Sequence, residues 1–89
     1  MQFEYDPNKS RLNKEKHGFD FEEAKELWND PGAIIIPLNY KDEKRYLVTG
    51  IFKEKHWSAI CTNRDGNIRI ISFRRAHKKE EEIYEKSNR

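Results

Sequence analysis

The residues best suited to chemistry are the cations that crowd the last third of the chain. Residues 64–79 carry six lysines and arginines against the single acid Asp65, although the whole chain has a formal charge of only +2. A guanidinium group stays charged at any working pH and can grip a phosphate through two parallel hydrogen bonds. The segment therefore predicts a local binding surface for a polyanion, unlike residues 20–30, which carry five acidic residues against the single cation Lys25. Its cations are Arg64, Arg69, Arg74, Arg75, Lys78 and Lys79.

The same arginines have a purely structural explanation, which remains open. Arg74 and Arg75 directly follow residues 67–73, an apolar run with the alternation of a strand. They could solubilise the end of that strand and pair with glutamates of the segment that follows. In this explanation they bind nothing outside the chain.

Glu80 is the carboxylate most clearly placed among apolar residues. It stands between Ala76 and Tyr84 at i, i+4 and i+8, so all three share the inward face of a predicted helix. A carboxylate on such a stripe requires a cationic partner, which Arg74 or Arg69 could supply. The pair would either place an arginine against a phosphate, with Glu80 as a candidate base, or simply hold the helix on a sheet.

Three histidines, His17, His56 and His77, could transfer a proton near neutral pH. None of them has metal-ligand spacing with another histidine or with Cys61, so we expect no metal site. The motifs of nucleotide-binding loops and hydrolase triads do not occur, and we expect no cofactor. His17 also fits a helix end and His56 a hairpin loop, whereas His77 lies among cations.

Aromatic side chains offer a second way to recognise nucleic acid, because exposed rings stack on unpaired bases. A chain this small nevertheless needs most of its aromatic residues for burial. We therefore expect most of the candidate rings to lie in the core. They are Tyr5, Tyr40, Tyr46, Trp28 and Trp57.

Length and composition limit the architecture that can position these groups. The 89 residues are enough for one domain, residues 1–89, with 35% hydrophobic and 38% charged residues. Cys61 is the only cysteine, which excludes an intrachain disulfide and favours a small core residue in a reducing compartment. No apolar run approaches the ~20 residues of a membrane span, so we expect a cytoplasmic protein without membrane association.

The first half of the chain predicts a strand followed by two helices. Residues 2–5 alternate as a short strand. Asp6 is the predicted N-cap of a helix that Pro7 opens and that ends at about His17, with Gly18 as its C-terminal cap. Asp20 and Glu23 form an acidic capping box at the start of a second helix. That helix ends before residues 30–32, which read Asp-Pro-Gly.

The second half predicts four strands and a final helix, which gives an α+β fold. Asp65 and Gly66 form a hairpin signal, and the strands should pair as an antiparallel meander before a helix from Arg75 onward. Regular alternation in the last strand would put Arg69 and Arg74 on opposite faces of the sheet. The predicted strands are residues 33–36, 46–52, 57–63 and 67–73.

Segments along nearly the whole chain resemble the BrnT family of toxins from bacterial type II toxin–antitoxin pairs. The matching opening is residues 3–7, with Lys9, Asn13, residues 16–18 and residues 21–24; the middle matches at residues 30–31, Glu43, Arg45, Gly50, Thr62 and Arg64. The most specific piece is the close, residues 68–72 with Arg74, Ala76, Glu80 and Tyr84.

The resemblance implies a small RelE-like domain in which an antiparallel sheet of four to five strands packs with two N-terminal helices and one C-terminal helix. It implies a metal-independent ribonuclease that inhibits translation and is neutralised by a BrnA-like antitoxin. Operator DNA would be bound only through the antitoxin complex. The toxin would form a dimer or a heterotetramer with its antitoxin.

Site residues follow from the resemblance and from the basic segment. The resemblance implies that Arg64 and Arg74 bind the scissile phosphate, that His17 or Glu80 assists proton transfer, and that Arg69 braces the site. The RNA-binding candidates are Lys16, Arg69, Arg75, His77, Lys78 and Tyr84.

Two departures from the family pattern bear on activity. Phe73 stands where a small residue, usually alanine, precedes the arginine, and Glu81 stands where the family often has arginine. The first would narrow a pocket or fill the core, and the second removes positive charge. Three alternatives therefore stay open: a degenerate toxin that still binds its antitoxin, a nucleic-acid-binding module without chemistry, and a protein-interaction subunit.

Overall fold

A five-stranded sheet organises the computed structural model, which describes residues 2–40 and 42–89. Helices precede and follow the meander of strands, and the strand order across the sheet is β1-β5-β4-β3-β2. In chain order the elements are β1 (Phe3–Glu4), α1 (Pro7–His17), α2 (Phe21–Ala24) with a 3₁₀ helix (Lys25–Asn29), β2 (Ile34–Leu38), β3 (Arg45–Phe52), β4 (Lys55–Arg64), β5 (Asn67–Arg75) and α3 (Lys78–Ser87).

The predicted α+β class and the antiparallel meander are confirmed. Strands β2 to β5 pair antiparallel in sequence order, and the hairpin between β4 and β5 turns at Asp65 and Gly66, both with positive φ. The sheet is mixed rather than antiparallel throughout, because β1 pairs parallel to β5. No hairpin joins these two strands: α1 and α2 carry the chain away from β1, so the connection does not impose an antiparallel partner.

A β-bulge interrupts β5 in the middle of its pairing with β4. Ile60 lies opposite Ser72 and Cys61 lies opposite Ile70, so the intervening Ile71 has no partner in β4. One extra residue in a strand shifts every later side chain to the other face of the sheet.

The bulge makes the predicted separation of Arg69 and Arg74 wrong. Arg69 lies opposite Thr62 and Arg74 lies opposite Ser58, and these two residues of β4 share one face because they are an even number of positions apart. The two arginines therefore lie on the same face. Strict period-2 alternation gave the opposite result because it cannot anticipate an inserted residue.

The core occupies the other face, under α1, α2 and the 3₁₀ helix. Trp57 stacks on Phe73 with ring centroids 4.8 Å apart, and Phe52 meets both rings edge to face. Phe73 and Cys61 are fully buried, which confirms the cysteine as a core residue. Among the candidate rings Trp57 is buried, and three others are partly buried against the core, namely Tyr5, Trp28 and Tyr46, so the prediction that most of them serve the core is confirmed. Phe73 thus fills the core, whereas Tyr40 is one of the exposed large side chains.

Local signals set the bounds of α1. The Asp6 carboxylate accepts a hydrogen bond from the Asn8 backbone N–H, Pro7 takes the first helical position, and Gly18 ends the helix at φ 90°. Asn13 on this helix reaches the edge of β5, where its amide donates to the Phe73 carbonyl at 2.8 Å and accepts from the Phe73 N–H at 3.2 Å. The side-chain amide of Asn13 thus supplies the two hydrogen bonds that a neighbouring strand would otherwise make with Phe73.

The second helix is shorter and tighter than predicted. The capping box of Asp20 and Glu23 is confirmed, but after Ala24 the chain continues as a 3₁₀ helix up to Asn29. Such tightening is common in a last helical turn. No helix among the described residues combines the length and apolar character needed to cross a membrane.

Candidate active site

The candidate site lies on the sheet face opposite the core, where α3 packs across one end. A cross-strand row at that end runs from Thr49 through Ser58 to Arg74. Glu80 of α3 lies above this row and is buried. The predicted juxtaposition of Glu80 with one of two arginines is therefore confirmed for Arg74.

Arg74 and Glu80 form a bidentate ion pair. Both guanidinium nitrogens Nη1 and Nη2 donate to the carboxylate, each at 3.0 Å. The Ser58 hydroxyl donates to Glu80 Oε1 at 2.8 Å and itself contacts the Thr49 hydroxyl at 2.7 Å. This chain of bonds holds the guanidinium in one orientation, which is the geometry that suits recognition of a fixed anion.

The same bonds settle the charge of Glu80. Burial alone would raise the pKa of this carboxyl, but the hydrogen bonds from Arg74, the His77 backbone N–H and Ser58 lower its pKa to about 2. Glu80 is therefore ionised at every ordinary pH. A carboxylate with so low a pKa is a weak base, so the geometry favours a positioning part for Glu80 over proton transfer.

His17 at the end of α1 is near enough to Arg74 for the positive charge of the guanidinium to act on its ring. Together with Lys16 and Ser72 it lines a shallow cavity of about 200 Å³ between α1 and the edge of β5. Burial, followed by the positive charges of Lys16 and Arg74, lowers the pKa of His17 below its ordinary value of 6.5. His17 is thus predominantly neutral at pH 7, with a ring nitrogen able to accept a proton.

Arg64 and Arg69 lie at the far end of the same face. Arg69 pairs with Glu4 of β1 at 2.8 Å, and Arg64 lies 3.8 Å from Glu43. Four residue steps along β4 separate the positions opposite Arg69 and Arg74, which is roughly 13 Å. The structure therefore does not bring Arg64 together with Arg74 around a single phosphate.

The remaining RNA-binding candidates are divided between surface and interior. His77 and Lys78 are exposed at the start of α3, and the Arg75 guanidinium lies 6.0 Å from the centre of the Trp57 ring at the rim of the core face. Tyr84 is buried, and its hydroxyl donates to Asp30 at 2.8 Å. Its position indicates that it holds α3 in place.

Sequence reasoning missed the groups that fasten α3 to the sheet. Asp30 accepts from the Tyr84 hydroxyl and from the Ile51 backbone N–H, each at 2.8 Å. His56, predicted in a hairpin loop, lies instead in β4 opposite Ile51, and its two ring nitrogens are 3.2 Å from Glu81 and 2.7 Å from Glu85. Residues 30–32 signal only the end of a helix, and no local pattern indicates that Asp30 meets a tyrosine far along the chain.

A comparison with known protein families identifies the family of this chain. A family model described as "Ribonuclease toxin, BrnT, of type II toxin-antitoxin system" matches residues 5–80. The match includes every element from α1 to β5 and the first turn of α3 with Glu80. No curated protein sequence matches the chain.

Proposed function

The chain belongs to the BrnT family of ribonuclease toxins of type II toxin–antitoxin systems, and we propose that it is a metal-independent endoribonuclease centred on Arg74 and His17. The observation that carries the proposal is the arrangement around Arg74: Glu80 holds the guanidinium through two hydrogen bonds, and His17 of α1 is near enough for the charge of Arg74 to act on its ring. A cation that binds a phosphate and a group that accepts a proton are what cleavage of RNA without a metal requires.

Each residue has a separate part in the proposed reaction. The guanidinium of Arg74 uses three of its five N–H groups on Glu80 and the Arg75 carbonyl within the described chain, which leaves two for a phosphate. His17 accepts the proton of the ribose 2′-hydroxyl while the 2′-oxygen bonds to phosphorus. The bond to the 5′-oxygen then breaks, and this oxygen takes up a proton. The products are a 2′,3′-cyclic phosphate and a 5′-hydroxyl.

Glu80 is a positioning residue in this scheme. Its two oxygens fix both terminal nitrogens of Arg74, so the guanidinium does not need to be ordered when RNA arrives. Lys16 and Lys78 attract the RNA backbone, and Arg64 and Arg69 contact phosphates away from the scissile one. Arg75 and His77 extend the basic rim.

The cellular part of the proposal follows from the family. Cleavage of RNA by this chain would inhibit translation in the cytoplasm until an antitoxin of the BrnA kind binds and masks the toxin. The complex would contact operator DNA only through the antitoxin. Both a dimer and a heterotetramer are compatible with one antitoxin bound per toxin.

Incubation of the purified protein with a long single-stranded RNA in EDTA tests the proposal. We expect wild type to produce 2′,3′-cyclic phosphate ends, while Arg74→Ala and His17→Asn lose at least about a hundredfold in rate, the size of one removed electrostatic or proton-transfer group. Arg11→Ala removes an exposed cation of α1 and serves as the matched control. Full activity in Arg74→Ala would overturn the assignment.

The pH dependence adds an independent readout. Because the pKa of His17 is lowered, the neutral base is already present in slightly acidic solution, and cleavage should rise with pH as His17 loses its proton. His17→Asn should remove this rise. A wild-type profile that stays flat from pH 5 to pH 8 would exclude His17 as the base.

The Arg74–Glu80 pair also favours a second function, in which the protein binds RNA or its antitoxin without chemistry. Two guanidinium nitrogens are already bonded to a carboxylate, as expected of an arginine whose task is to hold α3 on the sheet. This alternative predicts salt-sensitive RNA binding without product. Intact RNA from well-folded protein in the same assay, together with salt-sensitive RNA binding, would support it.

A further inference from the structure

We propose that the Ser72 hydroxyl positions RNA by donating a hydrogen bond to a phosphate oxygen, and that the bulge at Ile71 is the structural device that brings Arg69 onto the face that Ser72 shares with Arg74. The inference rests on the proposed function and adds a contact residue to the same site. Ser72 lies opposite Ile60, two positions along β4 from the partner of Arg74 and two from the partner of Arg69. It therefore stands midway between the two arginines on their shared face.

The bulge is what creates this arrangement. Without the extra residue, regular alternation would keep Ser72 and Arg74 together but would turn Arg69 to the opposite face. With it, Arg69, Ser72 and Arg74 form one row along β5, a donor between two cations. Bulges next to active sites often re-aim a side chain in this way.

The Ser72 hydroxyl differs from the other hydroxyls of the sheet. Thr49 and Ser58 contact each other, Ser58 also donates to Glu80, and Thr62 donates to the Lys44 carbonyl. Within residues 2–40 and 42–89, no group forms a hydrogen bond with the Ser72 hydroxyl. Its donor is therefore available to a ligand.

The surroundings of Ser72 indicate what that ligand is. Lys16 and His17 line the same cavity as Ser72, and the positive charge of Arg74 acts on His17. A hydroxyl donor beside two cationic side chains and a histidine is suited to a phosphate oxygen, which accepts such bonds strongly. An RNA strand that runs along the β5 edge would present successive phosphates to Arg69, Ser72 and Arg74.

Binding of an RNA that cannot be cleaved tests this contact separately from catalysis. The probe is a fluorescein-labelled single-stranded RNA with 2′-O-methyl groups throughout, titrated by fluorescence anisotropy at fixed salt. We expect Ser72→Ala to bind about tenfold more weakly, the lower range for a hydrogen bond to a charged group, and Ser72→Thr, which keeps the hydroxyl, to bind as wild type does. Ser87→Ala removes an exposed hydroxyl of α3 and is the matched control.

Kinetics on cleavable RNA then separate positioning from chemistry. A positioning contact predicts that Ser72→Ala raises KM by about the same tenfold as it weakens binding while kcat changes less, and that Ser72→Thr restores KM. Should Ser72→Ala fail to fold, Ser72→Cys, with a similar size but a weak donor, replaces it and is expected to bind as weakly.

The outcomes distinguish this inference from the proposed function. Cleavage by wild type, together with equal RNA affinity and equal KM in Ser72→Ala, would overturn the part of Ser72 and leave the ribonuclease intact. Weakened binding in Ser72→Ala without cleavage by any variant would support the contact and overturn the enzyme. Absence of both RNA binding and cleavage in wild type would overturn both.

Discussion

The two faces of the sheet are built from different interactions. The core face holds interlocking rings of Phe52, Trp57 and Phe73, which exclude water by shape and apolar area. The opposite face is fastened to α3 by polar bonds, chiefly Arg74 to Glu80 and Tyr84 to Asp30. The contrast indicates that stability depends mainly on the core face, while the opposite face holds the charged groups of the candidate site.

Strand β5 contributes to both faces at once. Phe73 is fully buried in the core, while the neighbouring Arg74 lies in the candidate site. A substitution of Phe73 should therefore affect mainly stability, and a substitution of Arg74 should affect mainly cleavage. Such paired substitutions offer the sharpest tests of the comparison.

The largest effect on stability is expected from Phe73→Ala. The substitution removes a ring packed against Trp57 and Phe52 and should lower the free energy of unfolding by about 3–5 kcal/mol. Urea denaturation followed by tryptophan fluorescence measures this change, and Leu12→Ala, at an exposed position of α1, is the control. A loss no greater than in the control would mean that the core does not rely on this ring.

The contribution of the face opposite the core can be tested by breaking the ion pair of Arg74 and Glu80. Glu80→Ala leaves the guanidinium of Arg74 in its largely buried position without a partner, and we expect a loss of about 3 kcal/mol, the lower end for a broken buried pair. The double substitution Arg74→Met with Glu80→Leu should recover most of this stability without restoring cleavage. Denaturation and RNA cleavage measured on the same samples check both statements.

A double variant that cleaves RNA would remove the distinction between the two faces. A double variant as unstable as Glu80→Ala would show that the pair serves stability beyond the charges it balances. Either result would contradict the conclusion that the core face provides most of the stability while the opposite face holds the charged groups of the candidate site.

As the pH falls, we expect the contacts on the face that carries Arg74 and Glu80 to weaken before those of the core face. The pKa of Glu80 is lowered to about 2 in the folded chain from 4.5, so its contribution to stability is fully present above pH 4.5 and is lost as pH falls toward 2. Thermal melts between these pH values should therefore show a steeper decline for wild type than for Glu80→Gln. Parallel declines would indicate that other carboxylates govern acid unfolding.

The smallest expected effect concerns the thiol of the core face. Burial raises the pKa of Cys61 to about 12, so the folded chain should resist iodoacetamide at pH 8. The same protein in urea should be alkylated fully, as mass spectrometry would show. Rapid alkylation of the folded chain would mean that the core face opens readily.

The sequence predicted those parts of the fold that depend on neighbouring residues. The caps of α1 at Asp6 and Gly18, the capping box at Asp20 and the hairpin at Gly66 are confirmed because each is set within a few residues. The bulge at Ile71 and the parallel pairing of β1 escaped prediction because both depend on partners elsewhere in the chain.

The candidate site shows the same limit. The spacing of Glu80 and Tyr84 correctly predicts that both lie on the buried face of α3, and Arg74 is one of the two predicted partners of Glu80. The predicted start of the helix at Arg75 is wrong, because His77 caps a helix that begins at Lys78, so Ala76 precedes it. The position of His17 beside Arg74 follows from the packing of α1 on β5, which spacing along the chain does not reveal. Arg64 was assigned to the same phosphate, yet it lies at the other end of the face, beside Glu43.

Asn13 has a consequence for how the protein behaves at high concentration. Strand β1 pairs with only the first part of β5, so it does not cover the edge of β5 near Phe73. Exposed strand edges template aggregation and amyloid growth, and the side-chain amide of Asn13 occupies both backbone groups of Phe73 that a second molecule would need. One asparagine thus protects this edge of β5, the strand that carries the candidate site, against edge-to-edge polymerisation.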